Sequence, residues 1–234
     1  MFDLNLYPHV EYKAKMDGDV RYYQVYDELD IWYPSVTSII GASTFFDHSY
    51  LAAWRKAVGD EEADRITKKA GRRGTALHNC LEKYVKGQDW KKSNPAVLFD
   101  MLPIKNILDK NVNNVRGIEI TLFNDFLETA GTSDLIADWK GKPAIIDYKT
   151  KRFSHRPVSE DDFSHYYVQA ACYAYMCNMK FQSNIEDIVI IMSLEHQEPI
   201  VFEKKVLDYK DLMMRVFSQY NRNLIKSDEN KNAE

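Results

Sequence analysis

The sequence predicts an α/β fold in which a central mixed β-sheet is flanked by helices. Three observations carry that prediction. Residues 75–85 (TALHNCLEKYV) repeat the apolar positions Ala76, Leu77, Cys80, Leu81, Tyr84 and Val85 at three- and four-residue spacing, as a helix burying one stripe does. Residues 116–150 hold three strand-like runs, RGIEITLF, GTSDLIADW and PAIIDYKT, with a tight reversal at W-K-G-K-P between the last two. A helix over about residues 164–179, two further strand-like runs, DIVIIMSL and PIVFEKKVL, and the amphipathic helix DYKDLMMRVFSQYNRNLI complete the alternation.

Taken in order, residues 20–36 (VRYYQVYDELDIWYPSV) mix β-branched and aromatic residues around a polar turn at residues 27–30, the pattern of a β-hairpin. Three short helices follow, SVTSII, SYLAAWRKAVG and DEEADRITKKAG, with Ser35, Ser49 and Asp60 as N-caps and Gly41, Gly59 and Gly71 as stops. Gly87 ends the TALHNCLEKYV helix. Residues 88–115 are polar and Asn-rich around AVLFDMLPIKNIL, which reads as a helix broken near Pro103 and then a loop. The segment KRFSHRPVSEDD is a loop, and the charged tail over residues 227–234 is expected to be disordered. Residues 1–226 are thus expected to form a single domain, with its chemical core over about 71–205 and an N-terminal extension over 1–70.

A chain of 234 residues with 45% hydrophobic and 28% charged residues is globular in composition and long enough for a substantial core. Its formal charge of -4 excludes a polycation that coats nucleic acid indiscriminately, so a polyanionic partner must be held by a local patch. Cys80, Cys172 and Cys177 are too few for a disulfide framework and include no C-x-x-C pair for zinc. The start, MFDLNLYPHVEYK, lacks a basic segment followed by an apolar one, and no uncharged run has membrane-spanning length. These features lead us to expect a reducing cytoplasm and no membrane partner; a monomer is expected, although no residue pattern specifies it.

The chemistry concentrates in the second hairpin. A two-residue reversal at Lys140 and Gly141 places Asp134 opposite Asp147, with Cβ atoms about 4.5–5.5 Å apart. Like charges so close are destabilising unless a cation lies between them, and Mg²⁺ binds beside one or two carboxylates while retaining water. Strand alternation points Lys149 to the same face as Asp147. Two acids, a divalent cation and an ammonium suit phosphodiester hydrolysis, whereas an ordinary charged surface hairpin is the plainer alternative. Against the plainer reading, Ala144, Ile145 and Ile146 make the strand look buried, so its charged end needs partners.

Four ordered blocks, GTALHNCLE (residues 74–82), GTSD (131–134), DYK (147–149) and QAACY (169–173), resemble the PD-(D/E)XK nuclease superfamily. The likeness is to its RecB-type branch and, within it, to the group of mitochondrial genome maintenance and phage exonucleases; YPSVT at residues 33–37 resembles the segment that opens that group. The resemblance implies a restriction-endonuclease-like core with the N-terminal hairpin and helical segment added to it. It implies that His78, Asp134, Asp147 and the main-chain carbonyl of Tyr148 ligate Mg²⁺ or Mn²⁺, and that Lys149 is the catalytic lysine. Imidazole is an acceptable ligand for Mn²⁺ and a poorer one for Mg²⁺. The resemblance further implies that Gln169 and Tyr173 line the site and position substrate or lysine; packing of that helix face on the sheet is the alternative. Glu82 either orients His78 or a metal-bound water from one turn away, or is simply solvated. Glu119 is read as a plain edge-strand charge, the alternative being a second acid beside Asp134.

Two basic clusters flank the proposed site: Arg65, Lys68, Lys69, Arg72 and Arg73 just before the His78 block, and Lys151, Arg152 and Arg156 after Lys149. We read Arg72, Arg73, Lys151 and Arg152 as contacts to nucleic-acid phosphates, with Phe153, Tyr166 and Tyr167 available to stack on unpaired bases. Iron–sulfur relatives of this branch often carry four cysteines, and only three are present here, so no cluster is expected. No G-x-x-x-x-G-K-[ST] loop occurs, so no nucleotide cofactor is expected, and the chain must meet DNA single strands or free ends, alone or with replication or recombination proteins. The expectation is a metal-dependent deoxyribonuclease, foremost an exonuclease of single-stranded ends. A structure-specific endonuclease with the same site, and a non-cutting nucleic-acid-binding module, are the alternatives.

Overall fold

The structure, a computed structural model, describes residues 2–47, 49–92, 97–152, 163–195 and 197–231. Three strands, β1 (Ala14–Asp17), β2 (Val20–Tyr26) and β3 (Ile31–Pro34), form an antiparallel meander, of which β2 and β3 are the hairpin expected from the sequence. Helices α1 (Val36–Gly41), α2 (Ser49–Val58), α3 (Asp60–Val85) and α4 (Leu98–Asn111) follow. Then come β4 (Val112–Asn124), β5 (Thr129–Trp139), β6 (Lys142–Lys151), α5 (Ser164–Phe181), β7 (Asp187–Leu194), β8 (Ile200–Lys205) and α6 (Val206–Lys231). Strands β4 to β8 make one mixed sheet in chain order. Only β6 and β7 run parallel. Parallel neighbours cannot be joined by a tight turn, so the connection crosses the sheet and lays α5 on one face.

Strand alternation divides the core in two. Ala144, Ile146 and Tyr148 of β6, with Val189 and Ile191 of β7, pack under α3 and α4 against Leu77, Leu81, Met101 and Ile104. Ile145, Ile188 and Ile190 face α5 and α6, against Ala170, Ala171, Ala174, Met213 and Phe217. Because both faces are covered, the centre of β7 is a continuous apolar run and not an alternating one. The β5–β6 reversal is as tight as the sequence suggests: Lys140 and Gly141 have φ of 51° and 83°, the left-handed pair of a type I′ turn.

Several boundaries differ from expectation. Asp60–Val85 is one 26-residue helix that runs through Gly71, so the predicted stop does not occur there. A glycine in a helix interior costs only about 1 kcal/mol, less than the tertiary contacts that hold this helix. The stop lies at Gly59, whose φ of 86° lets the chain turn between α2 and α3. Helix α4 is not broken at Pro103; the proline forfeits one intrahelical hydrogen bond in the second turn, while Met101, Ile104 and Leu108 are buried and pin the helix. Strand β4 starts at Val112, which shortens the expected loop. Helix α6 continues to Lys231, so the first residues of the predicted disordered tail are helical; residues 232–234 lie outside the described residues.

Close approach of α5 to β5 explains the glycine of the GTSD block. A Cβ on Gly131 would stand 2.9 Å from Cε1 and 3.1 Å from Oη of Tyr173, and 3.3 Å from Val36 Cγ2. At Gly74 the nearest atom would be Thr150 Oγ1 at 3.5 Å, an ordinary contact. Gly131→Ala is therefore expected to lower unfolding stability by about 1–3 kcal/mol. Gly74→Ala, within α3, is expected to be neutral or stabilising by up to about 1 kcal/mol. Urea denaturation of the two variants checks the contrast, and equal stabilities would disprove the tight β5–α5 contact.

Candidate active site

Strand β6 emerges from the core with Asp147, Tyr148 and Lys149 in succession. The β5–β6 ladder runs from Trp139↔Lys142 to Leu135↔Ile146 and stops there, one pair short of Asp134 and Asp147. At that point Asp134 Oδ2 accepts the Tyr148 amide hydrogen at 2.7 Å, so a side chain takes the place of a backbone acceptor. The other oxygen, Oδ1, lies 3.4 Å from His78 Nδ1, bringing α3 to the open end of the hairpin. Asp147 is 1% exposed, and its Oδ2 forms an ion pair with Lys149 Nζ at 2.6 Å. The two carboxylates expected to confront each other are thus each engaged, one by an amide and an imidazole, the other by an ammonium.

Glu119, read from the sequence as a plain edge charge, belongs to this cluster. Its Oε1 lies 3.9 Å from His78 Nδ1, and one ligand atom each from His78, Glu119 and Asp134 fall within 4.8 Å of one another. The backbone aims it there. Ile118 packs on the α3 side of the sheet, while Ile120, two residues on, is buried on the α5 side, although such residues normally share a face. The switch is made at Glu119, whose φ of 48° is left-handed, a conformation costing of order 1–3 kcal/mol for a residue with a Cβ. The β4–β5 register, with Ile118 on Leu135 and Ile120 on Ser133, puts Glu119 across from Asp134. The sequence signal for that register is Asn124, whose Oδ1 accepts the Leu127 amide hydrogen at 2.9 Å and so begins the reversal.

Electrostatics follow from three acids, an imidazole and an ammonium in a largely buried space. Burial alone would push His78 down, but its hydrogen bond to Asp134 and the charges of Asp134 and Asp147 outweigh this, and its pKa rises to about 9. Burial, with the charge of Asp134 added, pushes Glu119 up to about 7. Asp147 is pushed up to about 6 by burial, with Lys149 opposing. Burial would raise Asp134, but its hydrogen bond and charge contact with His78, the charge of Lys149 and the hydrogen bond from the Tyr148 amide outweigh this and hold it below the usual carboxylate range. Lys149 is raised: Asp147 and Asp134 outweigh the burial that would discharge it. The cluster draws protons onto itself, as expected of carboxylates gathered where a cation fits.

The donor set fits a divalent ion. Ligands at 2.0–2.1 Å on an octahedral ion stand about 3 Å apart when adjacent and about 4.2 Å apart when opposite, close to the spacing of His78, Glu119 and Asp134. Carboxylate oxygens suit both Mg²⁺ and Mn²⁺, and the imidazole favours Mn²⁺. Asp147, on the adjacent strand, stands at the edge of this set beside Lys149.

The other predicted residues divide. Gln169 and Tyr173 are buried on α5 behind the carboxylates, Gln169 Nε2 donating to Tyr173 Oη at 3.1 Å, so they back the site and do not line an open surface. Glu82 is paired with Lys86 at 2.6 Å, and its charge reaches Glu119. Arg72 is exposed on α3 with Lys68, Thr75, Asn79 and Lys83, along a shallow groove of about 580 Å³. Arg73 is not a surface cation. It is 17% exposed and donates to both oxygens of Asp100, itself 11% exposed, at 2.7 and 3.0 Å, to the Lys151 carbonyl at 3.1 Å and to Ser193 Oγ at 3.0 Å. The expectation that it contacts phosphate is corrected: it ties α3 to α4, β6 and β7. Lys151 Nζ lies over Phe163, and Arg152 is exposed. Tyr167, 1% exposed, is a core residue and cannot stack on a base; Tyr166 is half-buried beside Lys149. Phe153 and Arg156 lie outside the described residues. The thiols of Cys80 and of Cys172 and Cys177 are buried on opposite sides of the sheet. Among the described residues no helix is long and apolar enough to cross a membrane.

No family model matches the chain. Over 158 residues the chain is 24% identical to mitochondrial genome maintenance exonuclease 1 of Homo sapiens, a match covering 64% of this chain and 45% of that protein. The chain thus spans less than half the length of the curated relative it matches. Among solved structures, a "Putative exonuclease" from Eubacterium rectale has a TM-score of 0.44 at 15% identity, over 69% of this chain and 68% of its own. SSO0001 has a TM-score of 0.33 at 17% identity, over 63% of this chain and 73% of its own. The sequence similarity is therefore to an exonuclease.

Proposed function

We propose that this chain is a divalent-metal-dependent deoxyribonuclease of the PD-(D/E)XK type, in its RecB-like branch, acting as an exonuclease on single-stranded DNA ends. The observation that carries the reading is the convergence of His78, Glu119 and Asp134 within 4.8 Å, beside the buried Asp147–Lys149 pair of the next strand. The similarity to a named exonuclease supports it. His78, Asp134 and Asp147, the residues named by the resemblance, together with Glu119, are the side chains that would hold Mg²⁺ or Mn²⁺, with the Tyr148 carbonyl as a further donor. The ion would supply a water of lowered pKa and charge for the phosphate oxygens.

The chain's own groups do the rest. The Tyr148 amide fixes one Asp134 oxygen and turns the other toward the ligand cluster, so the carboxylate is oriented before any ion arrives. Lys149 stays protonated, and its ammonium is held where negative charge gathers on the phosphoryl oxygens in the transition state. Arg72 and Lys68 on the outer face of α3, with Lys151 and Arg152 at the end of β6, are the cations placed to follow a phosphate backbone toward the cluster. DNA processing in replication, recombination or repair, in a phage or organellar setting, is the context this activity would serve.

The first test is digestion of an end-labelled single-stranded oligonucleotide, its duplex and a closed circle in Mg²⁺, Mn²⁺ and EDTA. Metal-dependent loss of the linear strand alone is expected; cutting of the circle would replace the exonuclease by an endonuclease, and binding without cutting would leave a binding module. Asp147→Asn and Lys149→Ala are each expected to lower the single-turnover rate about 10²–10³-fold while DNA binding in Ca²⁺ persists. Equal loss of binding and cutting would instead make these residues structural.

Two further outcomes separate the parts. Arg72→Ala is expected to weaken single-strand binding and reduce the slope of log affinity against log salt by about 0.7, with stability unchanged. Arg73→Ala, which strands Asp100 in a nearly buried position, is expected to cost about 3–5 kcal/mol of stability. Metal binding must displace the protons that His78 retains up to about pH 9 and Glu119 up to about pH 7, so Mn²⁺ affinity should climb as pH rises from 6 to 9. Calorimetric titration at several pH values measures this; affinity flat across the range would place the ion away from His78 and Glu119.

A further inference from the structure

The face of β6 that carries the Asp147–Lys149 pair continues to Lys151, two residues on. The start of α5 answers it with two aromatic rings three residues apart, Phe163 and Tyr166. Lys149 Nζ lies 4.9 Å from the Tyr166 ring centroid, and Lys151 Nζ lies 5.0 Å from that of Phe163. The rings themselves are stacked, with centroids 5.8 Å apart and planes within 8°. Strand and helix spacings thus match so that each lysine has its own ring.

Among the described residues Lys149 has one ion-pair contact, Asp147 Oδ2 at 2.6 Å, and that contact by itself leaves a four-carbon side chain free to swing about the carboxylate. A ring face beneath the ammonium removes that freedom, and the attraction is larger where the cation is withdrawn from water, as it is here at 17% exposure. The geometry points to Tyr166 as a positioning residue that holds the Lys149 ammonium against Asp147 in its working orientation. This inference rests on the nuclease reading, in which Lys149 acts on the transition state. It also replaces the expectation that Tyr166 stacks on a base: Phe163 and His165 already pack on its ring, and an incoming base would compete with the lysine for what is left.

The test compares Tyr166→Leu, which removes the ring, with Tyr166→Phe, which keeps it. On end-labelled single-stranded DNA in Mn²⁺, Tyr166→Leu is expected to lower kcat about tenfold with KM within twofold, and Tyr166→Phe to recover kcat to within about threefold of the parent chain. Lysine labelled with ¹³C gives a readout independent of activity. The Lys149 ε-methylene resonance, assigned by its loss in Lys149→Ala, should be shifted upfield by the ring in the parent and in Tyr166→Phe, and relax to the ordinary position in Tyr166→Leu. Parent chain that cuts while Tyr166→Leu keeps its kcat overturns the inference alone, as does a raised KM at constant kcat, which would make Tyr166 a substrate contact. A parent chain that cuts none of the DNA substrates overturns the nuclease reading and this inference with it.

Discussion

The hydrogen bond from the Tyr148 amide to Asp134 Oδ2 is the constraint on which the rest of the cluster depends. Up to Leu135 and Ile146 the β5–β6 hairpin is held by its backbone. Beyond that pair a carboxylate occupies the acceptor position, and the two strands part. The parting creates a polar opening at the edge of a core that is otherwise closed on both sides. Strand β6 nevertheless stays ordered to Lys151, because its other edge remains paired with β7 through Lys151↔Leu194. One edge of β6 is therefore rigid scaffold, and the other is free to hold chemistry.

The charges in that opening compensate one another only in part. Lys149 offsets Asp147, and a protonated His78 offsets Asp134, while Glu119 is driven toward its neutral form. Isolated carboxylates buried in this way would be strongly unfavourable, and the proton on His78 stands in for positive charge that a bound cation would bring. The left-handed backbone of Glu119 belongs to the same balance: its strain is tolerated because the surrounding strands fix both neighbours, Ile118 and Ile120, in opposite cores.

Rigidity around the opening comes from contacts that carry no chemistry of their own. Arg73 binds Asp100, Ser193 and the Lys151 carbonyl together, which fixes α3 against the ends of β6 and β7 and thereby sets where His78 stands. The bare backbone of Gly131 lets Tyr173 lie against β5, and Gln169 holds the Tyr173 hydroxyl from one helical turn away. The short blocks visible in the sequence thus mix two kinds of residue: those that face the cluster, and those that allow helices to approach it.

By itself the sequence determined the local geometry. The type I′ reversal at Lys140 and Gly141, the buried strand leading to Asp147 and the stripe of the helix that carries His78 are all short-range patterns; Asp134, Asp147 and Lys149 could be named from them, and His78 through the resemblance of its block to a nuclease superfamily. Only the tertiary structure decided what depends on distant packing. It carried α3 through Gly71, because contacts such as that of Arg73 with Asp100 outweigh a glycine's helix penalty of about 1 kcal/mol. Arg73 and Tyr167 were turned from surface to interior, since a charge run or an aromatic pair reads the same whether it faces water or a partner helix. Glu119 was recruited through a left-handed backbone that its isoleucine neighbours conceal, because hydrophobic alternation records which side chains are apolar and not which face the strand will turn after a kink.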